Sequence, residues 1–111
     1  MSMVQSVKDP VARRFLDQKL GDIRRSFDPA HIILFGSRAT GKAGESSDID
    51  LIIVSERFKD VPFPNRMGAF LRAIKPEPDV EAFCYTLEEF DSLREQISPV
   101  AEAAREGIWI Q

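Results

Sequence analysis

Two aspartates, Asp48 and Asp50, are separated by a single residue at the head of an apolar run, and ten residues lie between them and an earlier Gly36-Ser37 pair. Side chains at i and i+2 of a strand share a face, which would set the two carboxylates side by side, about 7 Å apart at Cα. Like charges held together in this way repel one another, and a divalent cation relieves the repulsion. Paired carboxylate oxygens suit Mg²⁺, which they commonly share with substrate phosphates. The Gly-Ser pair supplies a complementary half. Glycine lets backbone amides approach an anion closely, and the serine hydroxyl donates to it. Arg38 and Lys42 fall in the stretch between the two halves, where a triphosphate needs positive charge. The chemistry these residue types point to is metal-assisted reaction at a phosphate.

The elements that must hold them are legible on either side. His31 to Phe35 (HIILF) has the length and apolar content of a buried strand. Gly36-Ser37 breaks it, and residues 38–47 read as loop with one helical turn near Arg38-Ala39. Asp48 to Val54 reads as a second core strand, with Ile49 and Leu51 on the face opposite the carboxylates. His31, the only histidine, has the side chain of a general base, but at a strand start it reads first as a surface or capping residue.

Upstream, residues 10–27 form a helix: Asp9 is an N-cap and Pro10 suits the first helical position. Ala12, Leu16, Leu20, Ile23 and Phe27 recur at helical spacing, Phe15 widens the stripe, and Arg13, Arg14, Arg24 and Arg25 fall on the outer side. Downstream, residues 55–65 hold Pro62 and Pro64 and read as connection. Residues 65–74 form a helix with Met67, Phe70, Leu71 and Ile74 inward, and Lys75 to Pro78 breaks it. Asp79 to Tyr85 is a third strand with Asp79, Glu81, Phe83 and Tyr85 on one side and Val80, Ala82 and Cys84 on the other. A carboxylate inside an apolar strand needs a reason, and a shared metal site is one; an exposed edge strand is another. Thr86 to Glu89 is a capping box that opens a helix, Ser98-Pro99 opens another, and Gly107 ends it before the apolar Ile108-Trp109-Ile110. Trp109 suits a core position or an interface anchor.

Gly36-Ser37, ten residues, then Asp48-x-Asp50 between two strands resembles the signature of the DNA polymerase β-type nucleotidyltransferase superfamily, and more narrowly that of the minimal nucleotidyltransferases. The resemblance is firm over residues 31–54 and weaker onward to residue 111. It implies an α/β (α+β) fold, a small mixed sheet backed by helices, with the carboxylates on the free face. It implies two-metal chemistry, with Asp48 and Asp50 holding two Mg²⁺ ions about 3.5–4 Å apart and ATP as substrate. Gly36, Ser37 and Arg38 would bind the nucleotide. The superfamily carries a third carboxylate on the following strand; counting back from Thr86 favours Glu81, with Asp79 the alternative on the same face. Two departures stand out: Glu81 replaces the usual aspartate, and Thr40 replaces a second arginine. The resemblance also implies transfer of AMP to a hydroxyl of a HEPN-type helical partner in a toxin–antitoxin pair. A module that neutralises its partner by occlusion, or a transferase acting on a small molecule or an RNA end, are the alternatives.

Composition sets bounds. The 111 residues suffice for one core, so 1–111 is expected to be a single domain, one that works with another polypeptide or as an oligomer. At 43% hydrophobic and 30% charged, the chain has the balance of a soluble globular protein. A net charge of −3 argues against a nucleic acid backbone as main partner. The sequence shows no run of transmembrane length and no signal-peptide pattern. The one cysteine, Cys84, forms no internal disulfide, which suits a cytoplasmic location.

Overall fold

Strand β1 (His31–Phe35) is flanked on both sides, by β2 (Ile49–Val54) and by the two-residue β4 (Ile108–Trp109), both antiparallel to it. Strand β3 (Val80–Tyr85) adds parallel to β2, giving a mixed sheet of order β3-β2-β1-β4. Ile32, Ile33 and Leu34 of β1 are fully buried, as are Ile49, Leu51 and Ile53 of β2. That is why these two strands read as continuous apolar runs rather than alternations. The computed structural model describes residues 4–77 and 79–111. Pro78, part of the expected breaker, lies outside the described residues.

One face of the sheet is covered by α1 (Pro10–Phe27) and α3 (Phe63–Ile74), joined in one core with Ile32, Leu34, Ile49, Leu51, Ile53, Ala82 and Cys84. Helix α1 follows its sequence rules throughout. Asp9 accepts from the Ala12 amide at 2.9 Å, Pro10 opens the first turn, and the whole expected stripe is buried. Phe27 stacks on both Phe58 and Phe70 at 5.1 and 5.5 Å. Helix α3 begins at Phe63, two residues before the expected start. Pro64 sits in its first turn, where the missing amide has no helical partner to lose.

The other face is not free. Helices α4 (Leu87–Arg94) and α5 (Pro99–Glu106) bring Phe90, Val100 and Ala103 onto Ile33, Ile52 and Val54. Trp109 belongs to this second core: its indole N–H donates to the Ala104 carbonyl at 2.8 Å, its ring meets His31 edge-on at 5.0 Å, and Arg94 lies over it. At the end of that face carrying the acidic residues, Asp48 and Asp50 stay half-exposed and Glu81 exposed. No helix among the described residues is long and apolar enough to cross a membrane.

Arg66 ties the layers together. Its guanidinium, in a side chain only 6% exposed, donates to the Val61 carbonyl at 2.8 Å, the Cys84 carbonyl at 3.3 Å and Glu89 at 2.6 Å. Glu89 in turn closes the capping box of α4 by accepting from the Thr86 amide at 2.8 Å. These bonds hold the Glu89 carboxyl below its ordinary value, the Arg66 bond first among the causes. Arg66→Ala leaves two carbonyls and the cap carboxylate without their donor and should cost about 2 kcal/mol, read as a lower urea midpoint at unchanged slope. An unchanged midpoint would show that the cluster adds nothing to stability.

Candidate active site

The Gly36-Ser37 turn forms because β1 runs straight into a short helix. Gly36 adopts φ 75° and ψ −159°, and α2 (Ser37–Thr40) follows at once, one turn longer than a plain loop. Among the described residues, no side chain caps that turn, and while the Ala39 and Thr40 amides donate to the Gly36 carbonyl at 3.0 and 3.2 Å, those of Ser37 and Arg38 are left for an anion. Gly41 ends it at φ 81°.

Asp50 comes next to this turn by strand pairing. It is the register partner of Phe35, the residue before Gly36. The fit is close: a Cβ on Gly36 would lie 2.3 Å from Asp50 Oδ2. No other residue fits there, since the position also needs positive φ. Gly36→Ala should push the Asp50 carboxylate out of place, lowering turnover about 100-fold and costing 1–3 kcal/mol or roughly that in strain. Wild-type turnover in a folded Gly36→Ala sample would refute this account of the turn.

The third acid arrives by the parallel pairing of β2 with β3, which sets Glu81 directly opposite Asp50. Glu81 is thereby close enough for its charge to act on the Asp50 carboxyl. Burial raises the Asp50 pKa most, followed by the charges of Glu81 and Asp48. Asp48 lies one residue before β2, half-exposed. The expected site residues Asp48, Asp50, Glu81 and Gly36-Ser37 are therefore gathered at one open end of the sheet. Asp79, the alternative third acid, is exposed at the entry to β3, where its carbonyl accepts from the Ile49 amide at 2.9 Å. It shares a hollow with Asp48, Glu81 and Lys75, but Glu81 is the one that reaches Asp50.

A divalent cation suits this donor set. Asp48 and Glu81 flank Asp50, whose charge burial already disfavours, and the excess negative charge is what a hard cation removes. Among the described residues, no three His, Cys, Asp or Glu side chains stand in ligating geometry.

Arg38 differs from expectation. It is 6% exposed, and its guanidinium is taken up by the following loop and by the N-cap of α1. Nε and Nη2 donate to the Ser47 carbonyl at 3.2 and 2.9 Å, Nη2 reaches the Glu45 carbonyl at 3.4 Å, and Nη1 pairs with Asp9 at 3.2 Å. Arg38 thus joins the residue after the phosphate turn to the residue before Asp48, and anchors both to the N-cap of α1. Lys42 stays exposed in the loop. His31 packs between Phe90 and Trp109 at the opposite end of β1 from Gly36, away from the acids. Cys84 is buried, and burial pushes its thiol up to about 12, leaving it a core side chain rather than a nucleophile.

The sequence matches the nucleotidyltransferase domain family over residues 16–106. The fold is similar to that of a candidate nucleotidyltransferase from Sulfolobus solfataricus, with a TM-score of 0.61 and 20% sequence identity over 96% of this chain and 83% of that one. At that identity the likeness is one of fold. A second candidate nucleotidyltransferase aligns at 26% identity and a TM-score of 0.48 over 69% of this chain and 84% of its own. No curated protein matches the chain.

Proposed function

The chain belongs to the nucleotidyltransferase domain family, and from that membership we propose that it transfers AMP from ATP to a hydroxyl of a second polypeptide. The observation that carries this reading is the convergence of Asp50 with Glu81 across one strand pair and with Gly36 across the other. A phosphate turn and three acids then meet at the one open end of the sheet.

In this reading Gly36 and Ser37 bind the β- and γ-phosphates through backbone amides and the serine hydroxyl. Asp48, Asp50 and Glu81 would hold two Mg²⁺ ions. When bound, these supply the positive charge that offsets the triphosphate and the departing pyrophosphate. The acceptor oxygen bonds to the α-phosphorus as the α–β bridging bond breaks, and pyrophosphate leaves. Glu81, exposed on the edge strand, takes the proton of the acceptor hydroxyl. No protein side chain is bonded to the nucleotide at any stage. The chain's contribution is position and charge.

The acceptor proposed is a hydroxyl, typically of tyrosine, on a HEPN-type helical partner, with this chain as the antitoxin of the pair. The motif spacing over residues 36–50 supports that choice. The test combines the chain, its co-expressed partner, Mg²⁺ and α-labelled ATP. Label should move to the partner with wild type and not with Asp48→Asn/Asp50→Asn. A double variant that still forms the complex and still silences the partner would replace transfer with occlusion.

A further inference from the structure

Between the acids and the second-face core lies a strip of sheet that α4 and α5 border but do not close over. Phe35 and Phe83 stand there side by side, ring centroids 5.8 Å apart and tilted by 51°. They open into an apolar cavity of about 250 Å³, walled also by Ile52, Tyr85, Leu93 and Pro99. We propose that this cavity receives the nucleobase of the substrate nucleotide, by stacking on Phe83 and Phe35. The proposal rests on the nucleotide site described above and names the part of the substrate that this strip of the sheet recognises.

Three observations lead there. The cavity is next to the acid end: Phe35 directly precedes Gly36 and is the register partner of Asp50, and Phe83 follows Glu81 by two residues on the same face. Two residues of strand is about 6.6 Å, a distance a ribose bridges between an α-phosphate held at the acids and a base in the cavity. The walls are flat aromatic rings, half-buried and not closed over, and every base offers them a π-face. Of the two polar side chains in the lining, Ser98 is already engaged: its hydroxyl donates to the Leu93 carbonyl at 2.8 Å and accepts from the Ala101 amide at 3.1 Å as the cap of α5. With Tyr85 the other, recognition here is mainly by shape and stacking.

Calorimetry in Mg²⁺ separates the parts. Wild type should bind ATP about tenfold tighter than ribose 5-triphosphate, which lacks the base. Phe83→Leu keeps an apolar side chain of similar bulk and loses the ring face. It should weaken ATP about tenfold and leave inorganic tripolyphosphate unchanged, with Phe35→Leu acting in the same direction. If wild type binds ATP and ribose 5-triphosphate equally, or if Phe83→Leu weakens ATP and tripolyphosphate alike or neither, the base subsite is wrong and the phosphate site stands. A Phe83→Leu variant that binds ATP normally but needs more acceptor for half-maximal rate would make the cavity an acceptor subsite instead. Wild type that binds neither ATP nor tripolyphosphate overturns both readings together.

Discussion

Asp50→Asn should lose nucleotidyl transfer by about 10³-fold and yet melt higher than wild type in EDTA. The first effect follows from removing an acid at the centre of the site. Charge stabilisation at a transferring phosphoryl group is worth several kcal/mol, and each 1.36 kcal/mol is a factor of ten in rate. The second follows from the raised pKa of Asp50, caused by burial and then by the charges of Glu81 and Asp48. A carboxyl whose folded pKa lies above its unfolded value contributes stability that is present at low pH and lost as pH rises through the folded value. Metal-free wild type should therefore become less stable as pH climbs through the carboxylate range. Asp50→Asn, with nothing to ionise at that position, should flatten the slope. If the acids hold Mg²⁺ as proposed, adding it should raise the wild-type melting temperature, since a ligand of the folded state stabilises it, and should leave the variant unmoved. Thermal melts across pH, with EDTA and with Mg²⁺, read all of this. A variant that melts below wild type in EDTA at neutral pH would mean that Asp50 holds the fold together rather than straining it.

Arg38→Ala should have the opposite profile, damaging fold and turnover together. Its partner Asp9 is itself nearly buried, with 11% of its side chain exposed. Removing one member of a buried, hydrogen-bonded pair costs about 3 kcal/mol. The variant also leaves the Ser47 and Glu45 carbonyls without their donor. Released from α1, the stretch from Gly41 to Ser47 no longer fixes where Asp48 begins its strand. A misplacement of this kind is worth about 100-fold in kcat, with KM for ATP little changed. Arg38→Lys should recover only a minor part, since an ammonium cannot copy a planar fork that serves two carbonyls and a carboxylate. A normal melting point with a raised KM for ATP would instead make Arg38 a phosphate ligand.

The difference between the two arginine readings shows where sequence is informative and where it stops. Local pattern was sufficient for α1, whose cap, first-turn proline and apolar spacing all agree along the chain. It was sufficient for β1 and β2, and for the Asp-x-Asp alternation, because a strand's two-residue period is a local property. Residues 38–47 showed a positive charge near a phosphate turn but not its direction, which is set by an aspartate 29 positions away. The same limit hid Arg66, which lies on the polar side of α3 until β3 and α4 pack against it. As same-face acids Glu81 and Asp79 were ranked only by the resemblance, which favoured Glu81; the register of the parallel strand pair, which sets Glu81 opposite Asp50, is not a local property. The stripes of α4 and α5 said that each buries one side. They did not say that the surface buried against was the acid-bearing face of the sheet, or that covering it incompletely would leave an aromatic strip open.

The sheet order has a consequence for how the chain acquires its shape. Strand β1 lies inside the sheet, yet one of its two neighbours, β4, follows it by more than seventy residues in sequence. Until β4 docks, one side of a fully apolar strand presents unpaired backbone groups, the template on which another molecule's strand can add. Such distant pairing is also among the slowest events in folding, because the intervening loop must close first. The vulnerable species is thus an otherwise assembled molecule whose sheet ends at β1, and its lifetime, more than the stability of the finished fold, would set how much of the protein is lost to aggregation at high expression.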